Sequence, residues 1–322
     1  MVKRAMAIGV ATLLATALQA QDRPAAKPDL DAIMHADSAA RRATYPKMPD
    51  TRGTGRYPAE KIVDPAFPDH VVYRPIDLDA LGDRKLPVLV WGNGGCSPDG
   101  ASARLFLAEI ASHGYLAIAP GAIRSGPGAP PSTEPPSNKL GVDTTAEDVR
   151  AGIALAAAAN AAPGRWHDRI DLTRVAVAGT SCGGLQALQL AGDPRIKAVV
   201  VLHSGIFADG SNPIEGMHVE KSLLETLHTP VLYILGGPLD VAYPNGTDDV
   251  KRIAHVPVFL ADHPVRHLGT FAKPNGGNEA QVTLNWLDWQ LLGDEKAAKM
   301  FTGAECELCT NPEWTVVRKG ID

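Results

Sequence analysis

The feature that most constrains this chain is a succession of short apolar runs, each bounded by turn residues and separated from the next by a stretch of helical periodicity. Leu86-Pro-Val-Leu-Val-Trp91 is apolar on both faces, as a strand buried inside a parallel sheet must be. Further strands are expected at His70–Tyr73, Tyr115–Ala119, Arg174–Ala178, Ala198–Leu202, Val231–Leu235 and Val256–Leu260. Between them lie helical segments at Ala103–Ser112 and Thr145–Ala159, and an amphipathic helix at Glu279–Leu292 closes the series. This alternation specifies an α/β fold, a parallel sheet covered on both faces by helices. With 45% hydrophobic and 21% charged residues, the 322-residue chain has material for one large core.

The ends read differently. Met1-Val-Lys-Arg4, the apolar stretch Ala5–Leu18 and the small residue Ala20 have the order of a secretory leader, so residues 1–20 are expected to be removed. Residues 21–69 are polar and proline-punctuated, with one candidate helix at Leu30–Arg42, and read as an arm wrapped on a domain of residues 70–322. Losing Lys3 and Arg4 takes the formal charge from −5 to −7. A mildly acidic chain with no basic run offers nothing to neutralise phosphates, so nucleic acid is not an expected partner, nor is stable membrane insertion. A secreted or periplasmic location follows from the leader. The Pro- and Gly-rich segment 121–143 is the one long loop.

Arg174-Val-Ala-Val-Ala-Gly-Thr-Ser181-Cys-Gly-Gly-Leu185 is a strand, a glycine-bracketed serine and a helix start, which is G-x-S-x-G in the setting that gives the motif meaning. Such an elbow projects the hydroxyl of Ser181, and glycines two residues to either side let neighbouring chains pass close. A serine hydroxyl needs a base oriented by a carboxylate. Asp240 follows the strand ending at Leu235, and His267 follows the strand ending at Leu260 in a glycine-containing loop, so the chain order is Ser, Asp, His. His263 precedes proline and lies nearer its strand, which makes it the weaker candidate. Asp248 and Asp249 read as openers of a helix running to Ala254.

Trp91-Gly-Asn-Gly-Gly95-Cys96 also follows a strand, and its glycines let backbone amides approach a substrate oxyanion. The expected donors are the amides of Gly95, or Gly94, and of Cys182. Four cysteines in an exported chain suggest two disulfides. Spacing favours Cys306 with Cys309, and if the two donor segments lie side by side, Cys96 bonds Cys182. His203 and Tyr243 sit where they line a pocket, pack in the core or lie exposed at the surface.

These motifs resemble the α/β-hydrolase superfamily from about Val71 to Leu292, and in particular secreted microbial serine hydrolases related to esterases, lipases and dienelactone hydrolases. Asn93 stands where a histidine commonly precedes the oxyanion glycines of lipases, and Ser181 replaces the dienelactone hydrolase cysteine. The resemblance implies a mostly parallel eight-stranded sheet and a triad of Ser181, Asp240 and His267. Between Leu202 and Val231 there is no room for a large cap domain. The expected activity is cleavage of a small-molecule or polymeric carboxylic ester through an acyl-enzyme, with no cofactor and no metal. A peptidase or acyltransferase with the same triad, and a catalytically silent binding protein on this fold, are the alternatives.

Overall fold

Six parallel strands form the centre of the molecule, and their carboxyl ends all open on the same edge. The computed structural model describes residues 29–131 and 141–322, so the leader expected at 1–20 and residues 132–140 of the loop 121–143 lie outside the described residues. The strands are β1 Ala59–Val63, β2 His70–Pro75, β3 Leu86–Gly92, β4 Leu116–Pro120, β5 Ile170–Thr180, β6 Ile196–Leu202, β7 Val231–Leu235, β8 Val258–Asp262 and β9 Thr315–Lys319. They pair in the order β1-β2-β4-β3-β5-β6-β7-β8-β9. The run from β4 to β8 is parallel, whereas β1, β2 and β9 join antiparallel at the two edges.

Nine strands replace the expected eight. Strand β1 falls within the segment read as an arm, and β9 lies beyond the last helix. Both are edge strands that pair on one side only, and Ala-Glu-Lys-Ile-Val and Thr-Val-Val-Arg-Lys carry the charges of a solvated edge rather than a two-sided apolar run.

Side chains alternate across the sheet with the strand period of two. One face presents Val88, Val90, Val175, Val177, Val199 and Tyr233 to a core shared with Val149, Ile153 and Leu185. The other presents Trp91, Ala176, Ala178, Ala198 and Val200 to Phe106, Phe271, Trp286 and Leu287. Small alanines on the second face leave room for the indole and phenyl rings. The longer helices are α1 Leu30–Thr44, α2 Arg104–Ser112, α3 Ala146–Ala161, α4 Cys182–Leu190, α5 Tyr243–Arg252 and α6 Gly277–Leu292. Thr145 caps α3 in a reciprocal box with Asp148. The expectation that Asp248 and Asp249 open a helix is corrected: α5 starts at Tyr243 with a proline in its first turn. Asp249 lies inside that helix, fully buried, and pairs with Lys221 at 2.6 Å.

Helix α1 has no buried residue of its own but is tethered to the body. Asp37 pairs with Arg266 at 3.0 Å, and Arg41 donates to the Ser102 carbonyl at 2.7 Å. Just beyond it, the guanidinium groups of Arg41 and the buried Arg104 lie over the Tyr45 ring, 4.7 and 4.0 Å from its centroid. Arg104 also donates to the carbonyls of Tyr45 and Met48 and pairs with Asp50. Among the described residues no helix is long and apolar enough to cross a membrane.

Candidate active site

Strand β5 turns directly into α4 at Ser181, whose backbone sits at φ 54° and ψ −123°, a region L-residues rarely adopt. The turn is this tight because three glycines meet behind it. A Cβ on Gly183 would collide with the carbonyl of Gly92, and one on Gly179 would collide with the carbonyl of Gly183. The elbow is further held by the Ser181 N–H, which donates to the Leu202 carbonyl at 2.9 Å, and by the Ser204 hydroxyl, which donates to the Ser181 carbonyl at 2.7 Å.

The three residues expected from spacing come together. His267 Nε2 lies 2.9 Å from Ser181 Oγ, and His267 Nδ1 lies 2.6 Å from Asp240 Oδ1. Because an ionised carboxylate only accepts, Nδ1 carries the hydrogen, and Nε2 is left to accept from the serine hydroxyl. Asp240 is fully buried, and the N–H groups of Gly236 and Ala242 donate to its two oxygens at 3.0 and 2.9 Å. Burial alone would raise its pKa, but hydrogen bonds from His203 and His267 prevail and hold it well below the usual carboxylate range. His263, the weaker candidate, instead stacks on Trp314 with ring centroids 4.5 Å apart.

Gly95 and Cys182 line the same cavity of about 200 Å³ as Ser181 and His267. Cys182 opens α4, so its N–H has no acceptor inside the helix. Gly95 adopts φ 67° in a short turn after β3. That turn is fastened by Asn93, whose side-chain amide donates to the carbonyls of Ser97 and Pro120 at 2.9 Å each. Cys96 and Cys182 are disulfide-bonded with Cα atoms 5.2 Å apart, tying the Gly95 turn to the elbow. Cys182 therefore has no thiol to act as a rival nucleophile. Cys306 and Cys309 form the second disulfide, near the C-terminus.

The cavity walls are mostly apolar. Leu185, Phe207, Ile214 and Val241 come from the body, and α1 adds Met34 and Asp31. Sequence reasoning had no signal for that contribution, since α1 reaches the site only by folding back over it. His203, singled out in the sequence without a role, does line the cavity, and Glu279 was not singled out at all. His203 lies against Asp240, with Glu279 behind it. Glu279 did leave a trace: residues 279, 282, 283, 286 and 287 form one buried helical stripe, in which a carboxylate is out of place. Among the described residues no group of three or more His, Cys, Asp or Glu side chains is arranged to hold a metal ion. No known family model matches this chain, and no curated protein matches it.

Proposed function

We propose that this protein is a secreted serine hydrolase of the α/β-hydrolase fold that cleaves carboxylic esters through an acyl-enzyme. The observation that carries the reading is the line from Ser181 Oγ through His267 to Asp240, with contacts of 2.9 and 2.6 Å, ending on a serine whose backbone is strained toward the cavity. A silent binding protein has no need of that strain or of a buried, ionised aspartate behind a histidine.

In the proposed reaction His267 Nε2 accepts the Ser181 proton as Oγ bonds the ester carbonyl carbon, and the carbonyl oxygen becomes an oxyanion facing the amides of Gly95 and Cys182. Asp240 keeps the imidazole in the productive tautomer and stabilises its charged form. Collapse breaks the bond to the alkoxy oxygen, which leaves as alcohol with the proton from His267. Water then repeats the cycle on the acyl-enzyme, releasing the carboxylic acid and restoring Ser181. Apolar walls of Leu185, Phe207 and Ile214 suit an uncharged acyl group, and the roughly 200 Å³ cavity suits a short one.

The test is release of p-nitrophenol from acetyl, butyryl and octanoyl esters by the wild type beside Ser181→Ala. The expected result is turnover highest on the short chains and a loss of about 1,000-fold or more in kcat for the variant. Equal rates in both proteins would remove Ser181 from the chemistry.

A further inference from the structure

The hydrogen-bonded line does not stop at Asp240. Its Oδ2 lies 2.9 Å from His203 Nδ1, and His203 Nε2 lies 3.1 Å from Glu279 Oε1, with all three side chains fully buried. Each ring nitrogen thus faces a carboxylate oxygen. With both carboxylates ionised, both nitrogens must carry hydrogens, so the ring is an imidazolium between two anions. Burial alone would lower its pKa, but the charge of Glu279 and the hydrogen bonds to Asp240 and Glu279 outweigh that and raise it to about 10.

Glu279 in turn reaches the loop that carries His267. Its Oε2 accepts from the Thr270 N–H at 2.8 Å, and its own N–H donates to Thr270 Oγ1 at 3.3 Å. Between Thr270 and His267 the chain passes over the pair at Gly269, where a Cβ would strike both Glu279 Oε2 and His203 Nε2. His203 itself adopts φ 44°, a strained backbone for a non-glycine residue that persists only where its surroundings fix it. Three elements therefore converge on one ring: the turn after β7 that bears Asp240, helix α6, and the loop that bears His267.

We propose that His203 is a positioning residue of the reaction, an imidazolium that clamps Asp240 from behind and, through Glu279, sets the loop that presents His267 to Ser181. The role rests on the serine-hydrolase reading. Asp240, His203 and Glu279 together carry one net negative charge. The other titratable groups around the ring are His267, with ring centroids 6.2 Å apart, and Asp262 and His263 at the end of β8, which act through the field alone. Without the imidazolium two buried carboxylates confront each other. The doubled negative charge favours binding a proton within the cluster, which raises the pH at which activity sets in.

The experiment is the pH profile of p-nitrophenyl butyrate hydrolysis by wild type, His203→Gln, Glu279→Gln and the double variant, each first checked for folding by circular dichroism. In His203→Gln, kcat is expected to fall about 100-fold with a smaller change in KM, because His203 borders the cavity but is itself fully buried. Its acid limb should move up by about one pH unit. Glu279→Gln halves the counter-charge and should move the limb down, and the double variant, again with one net negative charge, should return it toward wild type. If His203→Gln does not fold, the Glu279→Gln shift decides.

Long-range ¹H–¹⁵N spectra of the wild-type imidazoles supply an activity-independent readout: one ring should keep both nitrogens protonated at pH 8.5. Absence of that ring overturns the proposal. So does an unchanged acid limb in folded variants alongside Ser181-dependent turnover, which leaves the hydrolase reading standing. A wild type without Ser181-dependent turnover overturns the hydrolase reading first, and the positioning role with it.

Discussion

His203 carries a charge through a pH range where an exposed imidazole has lost it, and that difference must appear in stability. In the unfolded chain its pKa is about 6.5, whereas in the fold it rises to about 10, so between those values the folded state holds a proton the unfolded state has released. Its contribution is fully present below pH 6.5 and declines as pH rises toward 10. Urea midpoints measured from pH 6 to 9.5 should therefore fall, and the slope should shrink in His203→Gln. Burial pushes Tyr73, Tyr115 and Tyr233 well above the usual phenol range, but their share stays small below pH 9.5 because the unfolded phenols ionise only near about 10. An unchanged slope would mean that the ring is neutral in the fold. Ser181, Asp240 and His267 were legible in the sequence because each follows a recognisable strand, and a parallel sheet delivers such positions to one edge. His203 also follows a strand, but its partner Glu279 is 76 residues away on a helix, and nothing local to either residue names the other.

At the scale of elements, the central strands and the helices behind them were readable from apolar runs and periodicity, whereas β1 and β9 were not. An edge strand solvates one side of its backbone, so its residues need not be apolar. The arm's candidate helix was visible, but its docking was not, because that depends on Arg104, a cation buried beneath Tyr45 and paired with Asp50. Replacing it tests what α1 does. Arg104→Met removes two hydrogen bonds to backbone carbonyls and the stack on Tyr45, and is expected to cost about 2–3 kcal/mol in urea unfolding. If α1 walls the pocket as Met34 indicates, loosening its anchor should also relax the preference for short esters, raising octanoyl relative to acetyl turnover. Unchanged selectivity would make the helix a bystander to the chemistry.

Over the whole molecule, the two disulfides act at different reaches. Cys306–Cys309 closes a short local loop, while Cys96–Cys182 spans 86 residues and joins the two segments that face the ester carbonyl in the proposed reaction. Chain-entropy arguments assign such a long crosslink about 4–5 kcal/mol, so the Cys96→Ser, Cys182→Ser double variant should lose stability on that scale and kcat with it, as read by thermal unfolding and ester turnover. A change in stability alone would confine the bond to a structural part. The crosslink also divides the cavity mechanically. On one side the Gly95 turn and the elbow are welded into a single jaw that cannot spread; on the other, α1 rests without one buried residue of its own. If the proposed reaction holds, any widening that admits an ester or frees an acid is expected on that second side, like a clamp with one fixed jaw at the chemistry and one lighter jaw toward the solvent.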